Sequence, residues 1–305
     1  MKVRVLSAAQ NLEILVDNQP ITDQQPKKKS ALQVVVHSFF VVPLIIAIFS
    51  VLIFLVIRIM TAEPNSAYDY LEDVKIGGTT KRWQGAFELS KILSNPDMIP
   101  IDDRFSAELI SAFEYAANDK DSRVRQYLAV AMGATKDPKY LPTLIDALNQ
   151  NEPPEVMMAA AFSLGNMRDK RAIEPLSELL NNGEPQVRLL GVISLGKIGG
   201  ENTIPLLKEM LVDPEVNVRW DAAIALAKQK DRTGLRILLD LLDRKYLDSF
   251  PNIDETEQVQ AMMVVIQVAH FVQDLALRES LETLRDGDPN LKIREAARVA
   301  LTQFE

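Results

Sequence analysis

The hydrophobic pattern of the chain changes character near residue 60. Residues 30–57 carry no charge, and only Pro43 and Ser50 interrupt the apolar run that ends this stretch. At about 1.5 Å per residue, a helix of this length crosses a hydrocarbon core of about 30 Å. A single segment in lipid must satisfy its own backbone hydrogen bonds, so the pattern predicts one transmembrane helix over residues 31–60.

A cleaved signal peptide is the competing interpretation of this segment. Signal peptides have an apolar core of roughly 7–15 residues after a short basic stretch. Here thirty residues come first and the core is longer, which favours an uncleaved anchor. Lys27, Lys28 and Lys29 precede the span and mostly acidic residues follow it. This bias predicts a cytoplasmic N-terminus and a body in the periplasm or another extracytoplasmic space.

Beyond the span, the chain repeats itself every 31 or 32 residues. Segments beginning at Val124, Val156, Val187 and Val218 align with one another, and three of them have arginine directly after the valine. A second apolar segment lies between each of these and the next. A fixed period in this range predicts a solenoid in which each unit is an A helix, a turn and a B helix. One pair alone cannot bury its apolar face, so the stack is the folding unit.

The pattern extends in both directions. Weaker B segments occur at 82–89 and 293–297, and residues 257–270 must supply the sixth of seven, in an ambiguous register. The V-R-x-x-A-A-x-A-L-G pattern, most specific between residues 121 and 230, resembles HEAT repeats of the phycobilisome-lyase type. The resemblance covers about residues 65–303.

This resemblance implies an all-α solenoid of about seven antiparallel helix pairs, with the B helices along the concave side. The predicted organisation is therefore a cytoplasmic tail (1–30), a transmembrane helix (31–60) and a HEAT-like domain (65–305). Some members of the family attach or detach bilin chromophores, and most are scaffolds and adaptors. Nothing in this sequence marks a bilin site, and we do not carry that activity over.

Composition narrows the possible chemistry. The chain has no cysteine, which excludes disulfides and thiolate chemistry, and its two histidines lack companion ligands. Residues 1–30 hold five basic and three acidic residues, whereas the remainder holds 29 basic and 39 acidic ones. An acidic body argues against nucleic acid as a partner. The sequence therefore predicts no catalytic residue, no metal, no cofactor and no nucleic-acid binding.

Helix geometry points to a binding surface instead. Numbered from the valine as position 0, each B helix should bury positions 0, +4, +7 and +8, which leaves +2 and +6 on the opposite face. Apolar residues occupy nine of these ten positions in five units. Either they form a partner-binding stripe, or the packing of layers buries them. The stripe residues are Trp83, Phe87, Val130, Met158, Phe162, Leu189, Ile193, Trp220 and Ile224.

Two further features could contribute contacts. The arginine at position +1 recurs and is either an anion-binding ladder or, as the resemblance implies, a brace between neighbouring units. Residues 243–257 lengthen the sixth unit, and Tyr246 and Phe250 make this insertion either a docking site or an ordinary surface loop.

These patterns leave three functional hypotheses. The favoured one is a non-enzymatic, membrane-anchored scaffold or adaptor that binds a membrane or envelope protein through the concave face. The second is an accessory or regulatory subunit of a membrane enzyme or transporter. The third, a lyase-like enzyme on a repeat scaffold, has only the family resemblance in its favour.

Overall fold

We describe the protein from a computed structural model that covers residues 35, 37–61, 65–149 and 151–304. The predicted tail, residues 1–30 with its three lysines, lies outside the described residues. The chain divides between Pro64 and Asn65 into two compact units, and each is described here by itself.

The described part of the first unit is helical. A π-helical turn, His37–Val41, leads into helix α1, Val42–Thr61. Pro43 occupies the first turn of α1, where its missing N–H costs least. Within this element the stretch Phe39–Ile57 has a mean hydropathy of 3.2, and none of it is buried against protein. By length and composition, this stretch can cross a membrane.

The second unit is a stack of seven helix pairs. The A helices are α2 (Ala67–Ile76), α4 (Asp103–Tyr115), α6 (Leu141–Asp146), α8 (Ile173–Glu178), α10 (Thr203–Glu209), α12 (Leu235–Leu242) and α15 (Leu275–Gly287). The B helices are α3 (Thr79–Ile92), α5 (Arg123–Thr135), α7 (Pro154–Met167), α9 (Pro185–Ile198), α11 (Val216–Lys228), α14 (Glu255–Val272) and α16 (Leu291–Leu301). A short extra helix, α13 (Arg244–Asp248), lies in the insertion of the sixth pair. The predicted all-α solenoid and its number of pairs are confirmed.

The B helices bury the positions that the sequence pattern predicts. In α9, for example, Val187, Ser194 and Leu195 are fully buried at positions 0, +7 and +8. The same spacing resolves the register of the sixth unit, because Gln258 and Met262 are buried in α14. Gln258 therefore takes position 0, where the other central units have valine.

Consecutive B helices lie against one another at close range, whereas neighbouring A helices touch only locally. Two repeat positions make this approach possible. Ser163 at +7 in α7 donates its hydroxyl to the carbonyl oxygen of Ala129 in α5 at 2.9 Å. Beside it, a Cβ added to Gly133 at +9 would lie 2.7 Å from Ser163 Cα. Ser194 and Gly165 repeat the arrangement one unit later, so glycine and serine set the spacing of the B layer.

The recurring arginines brace neighbouring units. Arg82 in α3 donates to Asp119 at 2.7 Å, and Arg125 in α5 pairs with Glu152. In both cases the acid lies just before the B helix of the next unit. Arg188 in α9 donates to both carboxylate oxygens of Asp213 at 2.8 and 2.9 Å. A structural role, not an anion-binding ladder, therefore explains these three arginines.

The insertion supplies a brace that the sixth unit lacks. Position +1 of α14 is Val259, which cannot pair with an acid. Arg244 in α13 instead donates to both carboxylate oxygens of Asp288, at 2.7 and 2.8 Å, directly before α16. The insertion is therefore built into the stack and is more than a surface loop.

Candidate partner-binding surface

The candidate site is the side of the B layer opposite its buried positions, which we call the B face: positions +2, +3, +6 and +10 of the B helices. The predicted stripe lies on it. Phe87 and Phe162 are exposed, at 37% and 39%. The half-buried members are Trp83, Val130, Met158, Leu189, Ile193 and Ile224.

Trp220 is the stripe residue that the structure buries, although the insertion and not the packing of layers covers it. Its side chain is only 8% exposed, because the insertion packs against it. The Trp220 and Phe250 rings meet edge to face with centroids 5.4 Å apart, and Tyr246 and Phe250 do so at 5.1 Å. Trp220 Nε1 donates to the Tyr246 hydroxyl at 3.4 Å. These three residues form one unit, the aromatic cluster.

The stripe also continues further than the sequence predicted. With Gln258 at position 0, position +6 of α14 is Val264, which is half-buried. In α16 the same position is Val299, which is 45% exposed. These two residues were missed because the register of the sixth unit was ambiguous and the seventh unit matches the pattern weakly.

Basic side chains flank the apolar stripe near its centre. Lys197, at +10 of α9, lies over the Phe162 ring at 4.4 Å and donates to Asn166 Oδ1 at 2.9 Å. Burial lowers the pKa of the Lys197 ammonium, and the positive charges of Lys228 and Arg168 lower it further. Three basic side chains therefore lie close enough to interact beside this part of the stripe.

One carboxylate on the B face is held in an unfavourable environment. Burial raises the pKa of Asp221, at +3 of α11, and this effect outweighs the attraction of Lys228. A carboxylate in such a place reduces stability at neutral pH, since its charged form is poorly solvated. Residues kept at a cost in stability are concentrated at functional positions, which favours a role for this surface.

Two cavities open beside the B helices of the last three units. A cavity of about 660 Å³ lies between α14 and α16, with Ile266, His270 and Val299 in its lining. The His270 Nδ1 atom is buried there and has no hydrogen-bond partner among the described residues. A second cavity, of about 420 Å³, borders Trp220 and Phe250.

The B face has the composition of a contact surface. Within the parts of the chain that the structure describes, no cluster of three histidine or carboxylate side chains could hold a metal ion. The B face instead combines apolar area, two exposed phenylalanines and flanking charges. Such a combination suits the recognition of another protein surface.

Comparison with known proteins identifies the repeats. The family model described as HEAT repeats matches residues 110–189 and 174–248. The central part of the chain therefore consists of HEAT repeats, and the outer helix pairs continue the same architecture. No curated protein matches this sequence.

Solved structures agree with this fold. The CpcE–CpcF complex of phycocyanin lyase from Nostoc sp. PCC7120 superimposes with a TM-score of 0.55 at 21% identity, over 79% of this chain and 88% of that one. The archaeal HEAT-like repeats protein from Thermococcus onnurineus NA1 has a TM-score of 0.44 at 18% identity, over 80% and 98%. At 21% identity, the likeness to the phycocyanin lyase complex shows the fold alone. HEAT scaffolds are typically non-enzymatic, yet the lyase shows that the fold also occurs in an enzyme.

Proposed function

We propose that the protein is a membrane-anchored HEAT-repeat scaffold or adaptor that binds a protein partner through the B face of its solenoid. The observation that carries the proposal is the row of apolar residues on that face, of which Phe87, Phe162 and Val299 are exposed and the others, apart from the buried Trp220, are half-buried. Monomeric soluble proteins seldom leave an extended apolar patch uncovered. An incoming surface that covered the stripe would remove it from water and gain hydrophobic free energy.

The packing of the two helix layers favours the B face, and not the surface of the A helices, as the binding surface. Consecutive B helices are in extensive contact, whereas neighbouring A helices contact one another little, which favours the inner, concave side of a curved stack for the B helices. Concave solenoid surfaces are the ones that repeat proteins use for extended binding. The described span Phe39–Ile57 supports the anchor, so the partner is a membrane or envelope protein within reach of the bilayer.

A photo-crosslinking residue at Phe162 or Ile193 of the full-length protein in native membranes is expected to capture one defined partner. Both positions lie at the centre of the stripe, where a bound surface would be closest. The matched control is a crosslinker at Leu275, which is apolar and 75% exposed but lies at the start of an A helix. We expect no capture from that position.

The substitution Phe162→Asp should then reduce recovery of the captured partner at least about tenfold, because a charge would be buried against an apolar surface. The variant Leu275→Asp should leave recovery unchanged. Circular dichroism would verify that both variants are folded. Equal recovery with both variants would refute the B face as the binding surface.

The orientation of the anchor across the membrane can be tested by cysteine labelling. Because the chain has no cysteine, Glu201→Cys and Val5→Cys would each introduce a single reactive thiol. A membrane-impermeant maleimide applied to intact spheroplasts should label position 201, which is exposed, and should label position 5 only after permeabilisation. The reverse pattern would place the HEAT domain in the cytoplasm and overturn the proposed compartment.

A further inference from the structure

The 420 Å³ cavity beside the aromatic cluster has a composition unlike the rest of the B face. It is bounded by the first turns of α11 and α14 and by the loop of residues 250–253 in the insertion. Its size falls within the range of about 300–1,000 Å³ that is typical of small binding pockets. Trp220 and Phe250 supply its aromatic surface.

The aromatic surface is held rigidly. Phe250 meets both Trp220 and Tyr246 edge to face, and the Tyr246 hydroxyl accepts a hydrogen bond from Trp220. Three mutually packed rings leave each side chain few alternative rotamers. A group that enters the pocket therefore meets a preformed surface. Little conformational entropy of the aromatic side chains is lost when the group binds.

The charged groups that line the pocket are both acidic. They are Glu215 and Glu257, one at the start of each bounding helix. The Glu257 carboxylate accepts a hydrogen bond from the backbone N–H of Asp254 at 3.1 Å. Each helix N-terminus contributes about half a positive charge, so the two carboxylates outweigh the two helix ends within the lining.

The arginines of the neighbouring elements lie outside the lining and make other bonds, although Arg188 also attracts Glu215. Arg188 pairs with both carboxylate oxygens of Asp213. Arg219 donates to the backbone carbonyl oxygen of Asp213 at 2.7 Å. Arg244, in the insertion, is bound to Asp288. The lining of the pocket thus combines aromatic surface with two carboxylates and contains no basic side chain.

We infer that this pocket binds a basic side chain, arginine or lysine, of the protein partner. Cations are attracted to aromatic faces, and the two carboxylates add a direct electrostatic attraction. The chain beyond residue 30 has a net negative charge, with 29 basic and 39 acidic residues. This charge also favours a basic partner by electrostatic attraction. This inference rests on the proposed function for its biological setting, but the pocket can be tested without the natural partner.

The test uses the intrinsic fluorescence of Trp220 in the full-length protein held in detergent micelles. The chain has two tryptophans, so a Trp83→Phe background isolates the signal. The probe is the peptide acetyl-Gly-Arg-Gly-amide, and acetyl-Gly-Gln-Gly-amide is its uncharged counterpart. We expect a saturable fluorescence change with the arginine peptide and no saturable change with the glutamine peptide.

Charge variants make the test specific. Glu257→Gln should lower the affinity for the arginine peptide roughly 3- to 5-fold, because it removes one attractive charge. Glutamine at this position preserves the helix cap. The matched control is Glu255→Gln, the same change in the same helical turn at a residue outside the lining of the pocket. It should leave the affinity within about 1.5-fold of the parent. Equal weakening by both variants, or equal binding of both peptides, would overturn the inference.

The two proposals can fail separately. If the arginine peptide does not bind but Phe162→Asp still abolishes capture of the partner, only the pocket assignment is wrong. If the peptide binds with the expected charge dependence but capture does not depend on Phe162, the pocket stands and the B-face proposal falls.

Discussion

Replacing Gly133 by alanine is expected to lower the free energy of unfolding by about 2 kcal/mol. The added Cβ would lie 2.7 Å from Ser163 Cα, and backbone atoms cannot turn away as a side chain can. Forcing α5 and α7 apart costs about 3 kcal/mol in overpacking, which the better helix propensity of alanine offsets by about 1 kcal/mol. The hydrogen bond from Ser163 to the Ala129 carbonyl oxygen would lengthen as well.

Thermal unfolding of the full-length protein, followed by circular dichroism, should show a midpoint roughly 4–8 °C lower for Gly133→Ala. Gly287 provides the matched control, because it is also helical but has open space where its Cβ would be. Gly287→Ala should leave the midpoint unchanged or raise it slightly. If both variants behaved alike, close contact between B helices would not be what requires glycine at position 133.

The sequence could predict the solenoid because the repeat pattern is a local signal. The recurrence of valine and of small residues at fixed positions is enough to define the period and the buried side of the four central B helices. The reason for glycine at position +9 is not local, because a larger side chain there would collide with the serine at +7 of the next unit. Gly133 and Ser163 are one such pair. Only the stacked arrangement shows that these two positions meet.

The tertiary contacts of the insertion could not be predicted from the sequence. Tyr246 and Phe250 were recognised as candidates, but nothing in the pattern indicates that they cover Trp220. That contact depends on how α13 folds back onto the stack, which Arg244 fixes through Asp288, 44 residues further along the chain. The pocket is a product of this tertiary contact, so helix periodicity alone could not predict it.

The structural role of the acidic residues that precede the B helices could also be predicted only in part from the sequence. Asp213 and Asp288 each precede proline, a pattern typical of a residue that caps the helix that follows. In the structure each accepts a backbone N–H two residues further on and, with the same carboxylate, holds an arginine of another element. Their second role depends on the neighbouring unit, and it makes these carboxylates important for the stability of the stack.

Replacing Asp213 by asparagine is expected to destabilise the domain by about 3 kcal/mol. Arg188 and Asp213 are 9% and 7% exposed, so the variant would leave a guanidinium charge buried without its counter-charge. Breaking one side of a buried pair typically costs 3–5 kcal/mol, and asparagine retains one acceptor, which places this variant at the lower end. Urea unfolding at pH 7 should therefore show a markedly lower midpoint.

The control is Glu295→Gln, which removes the partner of Arg298 in a pair with both side chains largely exposed. No measurable shift is expected there, because exposed pairs contribute little to stability. Loss of stability in both variants to the same extent would mean that the removed charge, and not its burial beside Arg188, is responsible.

The pH dependence of Asp213→Asn provides the sharpest check. The hydrogen bonds from Arg188 hold the pKa of the Asp213 carboxyl below its ordinary value of about 3.9. A carboxyl whose pKa is depressed in the folded state contributes stability that is fully present above its unfolded pKa and is lost as pH falls towards the folded one. The difference between parent and variant should therefore be constant from pH 7 to about 5 and narrow below pH 4. A difference that stayed constant down to pH 3 would show that the Arg188–Asp213 ion pair is not its source.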